Sequence, residues 1–162
     1  MIILVSDTSV LIDLERGGLL ESTFSCGLTL VVSDYLYQRE LEAYNGQYLR
    51  ALGLGVIELT PQEVATAQLI MIQCKGLSLV DCFALTCAMR PNHALMTGDA
   101  ILRNEAKSRN AIVYGLLWVL DFMESSGLAY SLLHEALNKI SADQKCRLPK
   151  DEVKKRLIKW SS

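Results

Sequence analysis

Four acidic residues hold positions where side-chain chemistry is expected: Asp7 in "LVSDTS", Glu40 in "YLYQREL", Asp81 in "LSLVDCFALTCAM" and Asp99 in "ALMTGDA". Asp81 is the single charge in its thirteen-residue stretch. No lysine or arginine in these runs offers an obvious partner, and leaving a buried carboxylate unpaired costs on the order of several kcal/mol. A hard divalent cation bound through oxygen would remove that cost, and Mg²⁺ or Mn²⁺ suits carboxylate-plus-water sites. Asp7, Glu40, Asp81 and Asp99 are therefore candidate metal ligands, with Mg²⁺ or Mn²⁺ the candidate cofactor. Each residue also has a structural reading. Asp7 and Asp99 could cap helices, Ser78-x-x-Asp81 has the spacing of a capping box, and Glu40 could be an ordinary helix-surface residue.

These side chains need elements to position them. "MIILV" reads as a buried strand, and a short helix follows near 9–15. "LTLVV" (28–32) is a second strand, after which Ser33 or Asp34 caps a helix to about 44. "GVIEL" (55–59) is a third strand. Pro61 opens a helix through about 74, with Val64, Ala67, Met71 and Ile72 on one face. Ser78 caps the helix that carries Asp81, and Pro91 stops it. "HALMT" (93–97) is a fourth strand, and "AIVYG" a fifth after a helix over 99–108. Helices over 116–125 and within 130–162 follow, the latter broken at Pro149. Strands alternating with helices imply an α/β fold, a parallel sheet covered on both faces.

In such a sheet, ligands bind at the carboxyl ends of the strands. Asp7 directly follows the first strand and Asp99 the fourth. The helix carrying Asp81 is ~20 Å long and the strand it feeds ~16 Å, so its N-terminus returns to the same edge. Glu40 is expected on the apolar face of its helix with Leu36, Tyr37, Leu41 and Tyr44, while Arg39 and Glu42 point outward.

Composition narrows the alternatives. The 162 residues suffice for one sizeable core, and 51% hydrophobic residues with a mean hydropathy of +0.24 exclude a disordered chain. No apolar run reaches the ~18 residues of a membrane span, and "MIILVSD" lacks a basic signal-peptide start, so a cytoplasmic location is expected. The five cysteines are odd in number with no C-x-x-C, which reads as reduced thiols rather than zinc ligands. Residues 1–144 carry nine Lys/Arg against sixteen acids, and residues 145–162 seven against two. A body so acidic does not attract polyanions by bulk charge, so a nucleic-acid partner would need local basic residues or metal ions. The basic tail, with Val153, Leu157 and Trp160 on one helical face, is either a docking element or a helix packed on the body. His93 and His134 form no evident nucleophile–base pair, and neither G-x-S-x-G nor a phosphate-binding P-loop occurs. "DTS" after the first strand faintly resembles a haloacid-dehalogenase-like phosphatase, but that pattern wants an acid where Ser9 stands.

The stretches "LVSDTSVLIDL", "VVSDYLYQREL", "GLSLVDCFALTCAM" and "ALMTGDAILRNEA" together resemble PIN-domain ribonucleases, most closely toxins of VapC type. They occur in that family's order, with eighteen residues from Asp81 to Asp99. The resemblance covers residues 1 to about 115. It implies a three-layer α/β/α sandwich, with a nuclease domain over 1–125 and a helical C-terminal extension over 126–162 packed on or near it. It places the family's catalytic acidic quartet on Asp7, Glu40, Asp81 and Asp99, with Ser9 and Thr97 in support. It further implies a metal-dependent endoribonuclease yielding 5′-phosphate and 3′-hydroxyl ends, commonly a homodimer and held inactive by a cognate antitoxin. Arg39, Arg103 and Lys107 are candidates for RNA contacts, each with a reading as a solvated helix residue. A module that keeps the acids for metal-stabilised binding without catalysis is the alternative.

Overall fold

A computed structural model describes residues 2–161. Five strands, β1 (Ile3–Ser6), β2 (Thr29–Ser33), β3 (Gly55–Ile57), β4 (His93–Met96) and β5 (Val113–Tyr114), form one sheet in the order β3-β2-β1-β4-β5. Every pairing is parallel: Val5 sits opposite Val31 on one side and Leu95 on the other. The fold is the expected α/β/α sandwich.

Alternate strand residues face opposite layers. Leu4, Leu30, Val32, Ala94 and Met96 enter one buried cluster. It is closed by α1 (Thr8–Arg16), α2 (Leu20–Ser25), α4 (Gly46–Leu52), α8 (Leu116–Ser125), α9 (Tyr130–Ser141) and α10 (Lys150–Trp160). Val5, Val31 and Leu95 enter the other, under α5 (Pro61–Gln73), α6 (Leu79–Ala88) and α7 (Ala100–Ser108). The apolar run of α6 is explained by this position: residues Cys82 to Ala88 are all buried.

Three local readings change. Helix α3 spans only Asp34–Leu36 and passes into a π-helical turn, Tyr37–Leu41, in which the Glu42 N–H donates to the Tyr37 carbonyl at 2.8 Å. That wide turn moves the inward register, so Leu36, Tyr37 and Leu41 are buried but Tyr44 is 67% exposed. Helix α5 buries Ala67 and Ile70 rather than Met71 and Ile72, the latter 75% exposed. Ala67 and Ile70 share a buried cluster with Cys82, Phe83, Ala84, Leu85, Cys87 and Ala88 of α6, so the face of α5 turned to α6 is the one they occupy. Helices α2 and α4 fall in stretches where no element is expected from the sequence.

Helices α9 and α10 share the core of the sheet. Leu133, Ala136, Leu137, Ile140, Val153 and Trp160 lie in the same cluster as Leu4 and Leu14. Gly17 ends α1 where a Cβ would stand 2.9 Å from Ile140 Cδ1, so the glycine allows α9 to approach. Arg156 of α10 donates to both carboxylate oxygens of Asp121, at 2.8 and 2.7 Å, and Lys159 pairs with Glu124. The basic tail is thus a packed helix, with part of its charge matched on α8.

Candidate active site

The carboxyl edge of the sheet is built from the ends of β1 and β4. Asp7 follows β1, with its N–H donating to the Met96 carbonyl at 3.1 Å. Its side chain caps α1: Oδ1 accepts from the Val10 N–H at 3.0 Å and from the Ser9 hydroxyl at 2.9 Å. Oδ2 accepts from the Thr97 hydroxyl. Asp7 is 8% exposed and Thr97 fully buried. Burial pushes the Asp7 carboxyl above the usual aspartate value. Thr97, Val10 and Ser9 partly offset this by donating to the charged form, and repulsion from Asp81 adds a smaller upward push.

Thr97 is a hub. Its Oγ1 also accepts from the Asp99 N–H at 3.1 Å, so the single hydroxyl proton is committed to Asp7. Asp99 then caps α7, with Oδ1 accepting from the Leu102 N–H at 3.0 Å. Asp81 completes a capping box at the start of α6. The Ser78 N–H donates to its Oδ2 at 3.0 Å and the Asp81 N–H donates to Ser78 Oγ at 3.1 Å. The helix-cap readings of Asp7, Asp81 and Asp99 are all realised.

In Asp81 and Asp99 the cap uses only one of the two oxygens. Asp81 Oδ1 and Asp99 Oδ2 carry no hydrogen bond to another described residue. Nor do Asp7, Glu40, Asp81 and Asp99 take part in any ion pair among the described residues.

Glu40 departs from its expected place. It lies in the π turn and is exposed, not inward, because that turn carries Tyr37 and Leu41 into the core and leaves position 40 on the flank. It nevertheless joins the edge: the Thr8 hydroxyl, next to Asp7, donates to Glu40 Oε1. Sequence reasoning passed over Thr8, whose position in "SDTS" was its only signal. Arg39 stacks on Tyr35, 4.9 Å from the ring centroid. Arg103 donates through Nη2 to the Thr97 carbonyl at 3.0 Å. Lys107 is exposed in the last turn of α7, at the opposite end of that helix from Asp99, and is not brought to the acids.

Among the described residues, no three His, Cys, Asp or Glu side chains form a ready-made metal cage. The donor set still fits a hard divalent ion. It is all oxygen, it includes a buried carboxylate without a cationic partner, and Mg²⁺ keeps several waters and needs only one or two carboxylates directly.

The family model described as a PIN domain matches residues 3–162. Among solved structures, a PilT N-terminus domain protein from the hyperthermophilic archaeon Sulfolobus solfataricus P2 is similar, with a TM-score of 0.51 at 14% identity over 78% of this chain and 95% of that one. At that identity the likeness speaks for the fold. No curated protein sequence matches.

Proposed function

Since the chain belongs to the PIN-domain family, whose members are generally nucleases, we propose that it is a divalent-metal-dependent endoribonuclease. What supports this reading is that Thr97 links Asp7 to Asp99, that Asp81 is near enough to repel Asp7, that Glu40 is tied to Thr8 beside Asp7, and that none of the four acids has an ion-pair partner among the described residues. Asp7, Asp81 and Asp99 would hold Mg²⁺ or Mn²⁺, with Glu40 holding it directly or through water. Bound there, the ion would neutralise charge on a phosphodiester oxygen and acidify a water.

The chain's own contribution is orientation. Thr97, Ser9 and the Val10 N–H fix both oxygens of Asp7. Thr8 fixes Glu40 through Oε1, leaving Oε2 for the ion or for a water on it. Hydrolysis forms one P–O bond from water and breaks the bond to the 3′ oxygen, which takes up a proton. The products are 5′-phosphate and 3′-hydroxyl ends. The finer reading, the toxin of a toxin–antitoxin pair acting as a homodimer, rests on the resemblance to VapC-type proteins. Co-expression with the product of a neighbouring small gene tests it.

The deciding experiment incubates the protein with single-stranded and structured RNA in chelator, then with Mg²⁺ or Mn²⁺. Cleavage should require metal and disappear in Asp7→Asn and Asp99→Asn while both variants stay folded. Cleavage by either variant at the wild-type rate overturns the assignment. Metal binding without cleavage supports a non-catalytic module instead.

A further inference from the structure

Arg103 is a candidate RNA contact by sequence, but its geometry gives it a different task. The Thr97 carbonyl lies just past the end of β4, where the ladder to β5 runs out, and its donor is the Arg103 guanidinium, through Nη2 at 3.0 Å. The seat for that guanidinium is cut by a glycine. A Cβ on Gly115 would lie 2.9 Å from Arg103 Nη2 and 3.9 Å from the Thr97 carbonyl oxygen. Arg103 Nε is buried without a partner. A group meant only for solvent or a mobile ligand gains nothing from such enclosure, and leaving a buried donor unpaired has a cost.

The backbone around it is closed in the same way. The Arg103 N–H donates to the Asp99 carbonyl at 2.9 Å, the Leu102 N–H donates to Asp99 Oδ1, and the Asp99 N–H donates to Thr97 Oγ1. Arg103 Nη2 then ties the start of this turn, Thr97, to its end. Gly98 within the turn is exposed, with open space beside its Cα, so little else packs on it.

We propose that Arg103, seated by Gly115, is a positioning residue: it anchors the Thr97 backbone so that the Thr97 hydroxyl holds Asp7 and Asp99 in one geometry. The inference rests on the metal-dependent reading of the acidic edge. It assigns Arg103 to the carboxylates rather than to RNA.

Two variants test it. Arg103→Met keeps the aliphatic stem and removes the donors. Gly115→Ala leaves residue 103 an arginine but places a Cβ 2.9 Å from its Nη2, so the guanidinium must shift from the seat. Mn²⁺ affinity is measured directly by electron paramagnetic resonance, RNA KM at saturating Mn²⁺, and amide exchange at Asp99 and Leu102 by NMR in chelator. Loss of a direct partner of a metal ligand weakens binding by about 10–100-fold, and Arg103, acting through Thr97, is expected to reach about the lower end of that range. Both variants should show that weakening with faster exchange at Asp99 and Leu102, and KM should stay at the wild-type value. The double variant should be no worse than Arg103→Met, because without the guanidinium the alanine has room. A rise in KM with unchanged Mn²⁺ affinity would make Arg103 an RNA contact and overturn the proposal. A lower melting temperature with Mn²⁺ affinity and exchange unchanged would make Arg103 merely structural and overturn it equally. Wild-type protein that neither binds Mn²⁺ nor cleaves RNA defeats the nuclease reading itself. In that event the exchange at Asp99 and Leu102 still decides whether Arg103 holds the turn.

Discussion

Asp81→Asn separates the observed cap from the proposed ligand role of one carboxylate. Oδ2 accepts from the Ser78 N–H and so belongs to the cap, while Oδ1 is left for a ligand. An asparagine keeps a carbonyl oxygen for the cap but loses the negative charge at the N-terminus of α6, worth about 0.3–1 kcal/mol. It also exchanges a charged acceptor for a neutral one, about a further 1 kcal/mol before solvent screening of this half-buried group. The compensation is relief of Asp7, but repulsion from Asp81 is the smallest of the named influences on that residue. The loss therefore wins, and Asp81→Asn should be about 1 kcal/mol less stable than wild type in chelator. For a chain of this size that is a melting temperature lower by about 2–4 °C. Ser78→Ala is the control. It removes the other half of the capping box at about the same cost and leaves every carboxylate in place. At a Mg²⁺ concentration of about 100 times Kd, a binding-competent protein gains about 2.7 kcal/mol. Wild type and Ser78→Ala should show this increment in thermal and urea unfolding, and Asp81→Asn should lack most of it. An equal metal increment in Asp81→Asn and Ser78→Ala would reduce Asp81 to a cap. A variant more stable than wild type in chelator would show that repulsion, not capping, dominates the edge.

Other consequences are as direct. Burial raises the Asp7 carboxyl above 3.8, so its contribution is fully present below about that pH and lost as pH rises through the folded-state value. In chelator, wild type should gain stability relative to Asp7→Asn on acidification from neutrality, and a pH-independent difference between the two in urea titrations contradicts this. Glu63 behaves oppositely: hydrogen bonding to Arg90 holds it at about 2, below its ordinary 4.5. Its contribution is present above about 4.5 and fades as pH falls toward 2, a dependence that Glu63→Gln should lack in the same titrations. Trp160 is 2% exposed in the shared core, and Trp160→Ala should cost about 3–5 kcal/mol while the Mg²⁺ increment survives. A loss of RNA binding without loss of stability would restore the tail as a docking element.

The sheet was legible because its strands are short apolar runs with turn chemistry at their ends, and buried strands leave little choice of period. Asp7, Asp81 and Asp99 were legible for the same reason, each being the first charge after a run or the single charge within one. Glu40 was misjudged because a helical wheel assumes one period, whereas the π turn Tyr37–Leu41 changes it. For helix α5 the expected face holds Ala67 correctly but has Met71 and Ile72 in place of Ile70, because all three are strongly apolar and adjacent, and hydropathy alone does not choose among them. From sequence, Arg103 reads as a candidate RNA contact or a solvated helix residue. Its partner, however, is a backbone carbonyl, and its seat is a glycine twelve residues on. No spacing rule connects those.

The chain contains its own comparison for the acidic edge. Two helices begin with a complete capping box, α5 with Thr60 and Glu63 and α6 with Ser78 and Asp81. At α5 the carboxylate is consumed. Arg90 donates to Glu63 Oε2 at 2.8 Å and to Oε1 at 2.7 Å, and the Thr60 N–H donates to Oε1 as well. At α6 the same local device stands without a guanidinium, and Oδ1 stays free. A bidentate arginine fills both oxygens of a carboxylate and would compete with any cation. A helix N-terminus offers about half a positive charge and needs only one oxygen. Asp7, Asp81 and Asp99 are each held by a helix start, at α1, α6 and α7. The fold thus places these acids at helix starts and leaves Asp81 Oδ1 and Asp99 Oδ2 without a hydrogen-bond partner among the described residues, while both oxygens of Asp7 are held by hydrogen bonds. On the proposed metal-dependent reading caps and ligands are not rivals, because the cap would keep the ligand both in place and available.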